Sequence, residues 1–178
     1  MNTFWTNGYH GTSLPNLLAA TGLSRGSLYS AFGDKRGLFQ LSLDRYVEDA
    51  LARFDDELNS QEGAVSGLRA CVAGYIDRTT GEAGRRGCLV VATAMELASQ
   101  DPDVEKKLGR FFRSAEARLT RAFEQVRAEG ALADGVEPAS AAKLLLGMVE
   151  GIRVIAKTGI DRSAWHHAAA TLLSSLLR

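Results

Sequence analysis

The 178-residue chain carries 21 Lys and Arg against 21 Asp and Glu, so its net charge of zero excludes a whole-molecule field that would draw it to nucleic acid or an anionic membrane. Its two cysteines, Cys71 and Cys88, are too few for a secreted disulfide framework and lack metal-site spacing, and no apolar run approaches the ~20 residues of a membrane span. Without a basic, then apolar, leader the chain is expected to be cytoplasmic, with no membrane partner and no cofactor.

Strand signals are nearly absent and helical spacing recurs, which predicts an all-α fold. Only Met1 to Asn7 precede Gly8, so the first helix is expected to be short. Phe4 and Trp5 would form its last apolar turn; either residues are missing from this numbering or, with Met1 as the true start, little surface is left to cover Leu17, Leu28 and Phe32 and the head is expected to fray. Thr12-Ser13 before Leu14-Pro15 mark a helix start, with Pro15 in the first turn where a missing N–H costs little. That helix ends at Gly22. Ser24 can cap the next, on which Leu28 and Phe32 point one way while Arg25, Ser27 and Ser30 point elsewhere. Two short helices joined by a tight, Gly-containing turn predict a helix-turn-helix, whose second helix needs slim, hydrogen-bonding residues at its N-terminal end to enter a DNA major groove.

Beyond the head, Val65, Leu68, Val72 and Tyr75 share one helix face, and Val104, Leu108, Phe111, Ala115, Leu119, Phe123 and Val126 share that of a long helix. Breaks are expected at residues 81–87, at Asp101-Pro102 with Asp101 as N-cap, and from Gly130 to Pro138. The glycines around Arg85-Arg86 follow no strand and read as a surface linker. From Ala139 to Ala156 apolar residues cover most of the helix circumference, predicting burial, and Gly147 and Gly151 lie one turn apart where another backbone can approach. The last segment repeats Trp165, Ala168/Ala169, Leu172/Leu173 and Leu176/Leu177. These two helices can close the core or form a dimer seam, the latter through Gly147, Gly151, Trp165, Leu172 and Leu176. Adjacent His166 and His167 point apart and cannot jointly clasp a metal.

Gly8-Tyr9, Thr12-Ser13, residues 22–29 (Gly-Leu-Ser-Arg-Gly-Ser-Leu-Tyr), Phe32 and Lys35 through Leu38-Phe39 together resemble the DNA-binding domain of the tetracycline-repressor (TetR) family of bacterial transcriptional regulators. The match runs from about Phe4 to Tyr46 and is specific, because many positions agree in order and spacing. The resemblance implies a division into a helix-turn-helix domain, 1–46, and a helical ligand-binding and dimerisation domain, 47–178. Split at Tyr46, the head is +2 and the remainder −2, a weak bias in the same sense. By position, the resemblance implies phosphate contacts from Thr12, Ser13, Tyr29 and Lys35 and groove contacts from Arg25, Gly26, Ser27 and Ser30, with Arg25 suited to guanine. Ala31 stands where many relatives place a phosphate-binding histidine.

The implied function is a ligand-responsive regulator, a repressor in the family's usual sense, binding a two-fold operator in double-stranded DNA as a homodimer and answering an unknown small-molecule effector. Cys71, Tyr75, Met95, Phe112 and Met148 are candidates for the effector pocket, and each is equally at home as ordinary core. The competing reading is a dimeric sensing or scaffold domain with a weakened head. An enzyme ranks third, since no nucleophile, general-base or metal constellation appears.

Overall fold

A computed structural model describes residues 1–79, 81–159 and 161–178. In chain order the helices are α1 (Asn2–Asn7), α2 (Leu14–Thr21), α3 (Arg25–Phe32), α4 (Lys35–Leu58), α5 (Ala64–Thr79), α6 (Gly81–Arg85), α7 (Leu89–Leu97), α8 (Pro102–Ala128), α9 (Pro138–Ile155) and α10 (Arg162–Leu176), with a 3₁₀ turn at Ala156–Thr158. No strand occurs among the described residues; an isolated bridge pairs Leu132 with Leu177. The fold is therefore all-α, with a helix-turn-helix head and a C-terminal helical part.

Helix ends fall where capping chemistry puts them. Ser13 caps α2, its Oγ accepting from the Asn16 N–H at 3.3 Å while Asn16 Oδ1 accepts from the Ser13 N–H at 2.9 Å. Asp101 caps α8 through Oδ1, which accepts from the N–H groups of Asp103 at 3.1 Å and Val104 at 3.2 Å. Residues 81–87 are not a plain linker: five of them form α6.

The chain divides into two compact units, the first comprising Met1–Ala50 with Cys88–Leu108 and the second Leu51–Gly87 with Gly109–Arg178. The unit that holds the head thus takes in a segment far along the chain. Phe4, Leu17, Leu28, Phe39, Leu43 and Tyr46 are buried in it together with Leu89, Val90, Leu97, Val104 and Leu108. The expected shortage of cover for Leu17 and Leu28 is corrected accordingly: both are buried, at 2% and 0% exposure, and of the three only Phe32 stays half-buried.

In the second unit the core is formed by one face of each of α5, α8, α9 and α10, including Leu68, Val72, Tyr75, Leu119, Phe123, Val126, Leu145, Ile152, Ala169 and Leu173. The forecast that α9 is buried all round does not hold. Leu144, Val154 and Ile155 are exposed, and a Cβ added at Gly147 or Gly151 would meet nothing within 4 Å. Arg118 of α8 forms a two-point ion pair with Asp55, at 2.8 and 3.0 Å, and Arg78 of α5 pairs with Glu57.

One buried polar group stands inside this core. Tyr75 Oη donates to Glu150 Oε1 at 3.0 Å, the Arg153 guanidinium lies 4.1 Å from the Tyr75 ring centroid, and Glu150 Oε2 is enclosed without a hydrogen bond among the described residues, 3.9 Å from Arg153 Nε. Burial pushes the Glu150 carboxyl above its ordinary value, against the lowering effects of Arg153 and the Tyr75 hydroxyl. The folded state then binds the Glu150 proton more tightly than the unfolded state, so this group's contribution to stability falls as pH rises from the ordinary carboxylate value through the raised folded one. Glu150→Gln, which can still accept from Tyr75, is expected to lose that dependence. Urea titrations at about pH 4 and about pH 7 should show the variant gaining on the wild type at the higher pH, and a constant difference would remove Glu150 as the titrating group.

Candidate nucleic-acid interface

The turn between α2 and α3 is set by Gly22, which ends α2 with φ 68° and donates its N–H to the Leu18 carbonyl at 2.9 Å. A left-handed residue at this point is strained unless it is glycine. Ser24 then caps α3, its Oγ accepting from the Ser27 N–H at 3.1 Å and lying 2.9 Å from Ser27 Oγ. Of the eight residues of α3 only Leu28 is buried. This one anchor fixes the helix's rotation and leaves Arg25, Gly26, Ser27, Tyr29 and Ser30 all exposed, Tyr29 at 44%.

Gly26 has no positive φ, and a Cβ there would meet nothing nearer than Ser24 Oγ at 3.9 Å. Packing within the chain does not call for glycine at this position, whereas close approach of an external backbone would. Arg25 makes no ion pair among the described residues, so its five N–H donors face solvent. Lys35 opens α4, where a cation is opposed by the helix dipole, and its Nζ lies 4.5 Å from the Tyr9 ring centroid. Its neighbour Arg36 is already paired with Asp101 and Asp103.

Six of the eight forecast contact residues, Ser13, Arg25, Gly26, Ser27, Tyr29 and Ser30, are thus exposed on α3 or at the start of α2, with Lys35 half-buried. Thr12 is different. Its side chain is wholly buried and its hydroxyl donates to the Gly8 carbonyl at 2.7 Å, so it cannot reach a phosphate and instead ties the α1–α2 turn together.

The pocket candidates scatter. Cys71 and Tyr75 are core neighbours one turn apart on α5, and Met148 packs half-buried against that core. Phe112 is half-buried and edge-on to Phe111, with ring centroids 5.3 Å apart. Met95 is corrected: it is 84% exposed on α7, on the outside of the first unit, and is not an enclosed lining residue. Burial pushes the Cys71 thiol up to about 12, with Glu57 adding to the effect, so the sulfur stays protonated. Cys88 is buried, with Tyr46 Oη 3.5 Å from its sulfur. Of the forecast dimer residues, Leu176 is corrected as well, being buried in the chain's own core beside the Leu132–Leu177 bridge, while Trp165 and Leu172 are half-buried against that core. His166 Nε2 lies 2.8 Å from Asp77 Oδ1, and His167 Nδ1 is 2.9 Å from the Ser163 carbonyl.

Family models match both parts of the chain: the model for bacterial regulatory proteins of the tetR family over residues 1–41, and that for the tetracyclin repressor-like C-terminal domain over residues 64–172. The chain belongs to the TetR family. Its relatives are transcriptional regulators that bind DNA. The HTH-type transcriptional repressor ComR of Escherichia coli (strain K12) is 28% identical over 174 residues, spanning 97% of this chain and 83% of ComR. A cysteine-substituted form of the TetR family regulator CifR, solved with 26-bp double-strand operator DNA, is 25% identical with a TM-score of 0.84, covering 98% of this chain and 91% of CifR. Reduced NemR of E. coli has the same fold, at 22% identity and a TM-score of 0.87 over 99% of this chain and 92% of NemR. No helix of the described residues is long and apolar enough to cross a membrane.

Residue-by-residue reading missed Glu96. Its carboxylate accepts from the N–H groups of Tyr9 at 2.8 Å and His10 at 2.7 Å. The available signal was an acid in the last turn of a helix, where the dipole disfavours it.

Proposed function

We propose that the chain is an effector-responsive repressor that binds a two-fold-symmetric operator as a homodimer in the cytoplasm. The observation that carries the reading is the polar, solvent-facing N-terminal end of α3, fixed by Leu28 and the Ser24 cap, with no ion pair at Arg25 and no side-chain crowding at Gly26 among the described residues. A helix so presented suits a major groove, with Ser13 and Lys35 at helix starts as its phosphate contacts. Residues 1–46 serve as the DNA-binding domain and 47–178 as the ligand-binding and dimerisation domain. The exposed stripe of α9, Leu144 to Ile155 with its two open glycines, is the surface for the second copy. An effector bound among the helices of the second unit acts by preferring the arrangement whose two α3 helices no longer match successive grooves.

The test is a titration of DNA with the wild type, Arg25→Ala and Lys35→Ala across salt concentrations. Arg25→Ala is expected to weaken the specific site by roughly 1–3 kcal/mol and relax one base position, leaving random DNA unaffected. Lys35→Ala should weaken both duplexes and flatten the salt dependence by about one counterion. Equal losses on specific and random DNA for Arg25→Ala would remove base readout from α3.

A further inference from the structure

Glu96 occupies the last turn of α7, where the partial negative charge of the helix end opposes a carboxylate. The donors that hold it there come from the other end of the chain. Past the end of α1 at Asn7 the N–H groups of Tyr9 and His10 have left the helix, and Oε2 and Oε1 of Glu96 accept one each, at 2.8 and 2.7 Å. Charge-assisted bonds of this length are among the stronger ones.

Gly8 completes the grip. Its φ is 72°, and a Cβ added there would stand 2.8 Å from Glu96 Oε2, so the carboxylate fills the space that any side chain at position 8 would take. The Gly8 carbonyl in turn accepts from the buried Thr12 hydroxyl, and Thr12 adjoins Ser13, the cap of α2. A continuous set of short bonds therefore runs from α7 through the α1–α2 turn to the entry of α2, which leads by the Gly22 turn into α3. The same distant segment is fastened to α4 beside it: Asp101 accepts from Arg36 Nη2 at 2.8 and 2.9 Å, and Lys107 donates to the Gln40 carbonyl at 3.3 Å and pairs with Asp44.

We infer that Glu96 is a positioning residue for DNA binding: it touches no DNA, and it fixes the α1–α2 turn so that α2 and α3 are presented in the binding geometry. The inference rests on the reading of α3 as the groove-entering helix. Releasing this one carboxylate frees two amides and the constraint at Gly8 together.

The experiment uses the full chain and the duplex that the wild type selects from a random-sequence pool, titrated at several salt concentrations. Glu96→Ala is expected to weaken binding about tenfold or more, and Glu96→Gln, whose single amide oxygen can still accept, to fall between it and the wild type. The salt slope should be unchanged in both, because no phosphate contact is removed, in contrast to Lys35→Ala. Hydrogen exchange should speed up at the Tyr9 and His10 amides while residues 14–32 of Glu96→Gln stay protected, which separates misplacement from unfolding if Glu96→Ala loses its head altogether. Wild-type affinity in both variants, or a loss accompanied by a flatter salt slope, would overturn the inference while leaving the DNA-binding reading intact. A wild-type chain that selects no duplex would overturn both.

Discussion

Phe4→Ala is expected to destabilise the head by about 3–5 kcal/mol, enough to abolish operator binding at room temperature. Phe4 is wholly buried in a helix of six residues, edge-on to Phe39 with ring centroids 5.1 Å apart and stacked on Tyr9 at 6.4 Å. So short a helix has little stability of its own, since nucleation is costly and few hydrogen bonds follow it. It holds because this ring holds it, and truncation leaves a cavity that the Tyr9 turn and α4 can fill only by moving. The loss should show as rapid amide exchange through residues 1–32 with the second unit's protection kept, and as DNA binding too weak to saturate. Tight binding by Phe4→Ala would mean that α1 contributes nothing to the presentation of α3.

The parts of this fold that could be read in the sequence are those governed by neighbouring residues. Ser13, Pro15, Gly22 and Ser24 specify the ends of α2 and the start of α3 by local backbone chemistry, and Asp101-Pro102 does the same for α8. The apolar face of α8 was equally legible, because its period of 3.6 depends on no other element. What escaped depends on partners far apart in sequence. Arg36 reads as one more basic residue of the head until Asp101, 65 positions later, takes it up. Met95 looks like pocket material by its chemistry, yet the side of α7 on which it falls faces solvent, and only tertiary packing decides which side that is. Leu172 and Leu176 share a stripe with Leu173 and Leu177, so a leucine-rich helix could not reveal which of its leucines the protomer keeps for its own core. For α3 the case is intermediate. Exposure of residues 25–27 followed from a single buried Leu28, while the commitment of Thr12 to the Gly8 carbonyl required the fold of the turn.

Leu144→Glu combined with Val154→Glu is expected to convert the proposed dimer to monomer without unfolding it. Both side chains are more than half exposed in the protomer, at 58% and 54%, so placing a carboxylate there costs a lone chain little. In an interface the same two carboxylates would be removed from water and, under two-fold symmetry, brought toward their own copies. A desolvated, unpaired charge opposes association by several kcal/mol, and the dimer dissociation constant should rise by at least about a hundredfold. Gly151→Leu approaches the same surface by bulk rather than charge: its Cβ meets nothing within 4 Å in the protomer, so folding should tolerate it while close helix approach would not. Sedimentation or light scattering measures the association, and circular dichroism confirms that α9 and its neighbours remain helical. The consequence for DNA is specific. A monomer presents one α3, so affinity for a two-half-site duplex should fall to that for a single half-site, with the benefit of tethering lost. A double variant that remains a dimer with wild-type helicity would place the second copy on another face, and the open stripe of α9 would then need a different occupant.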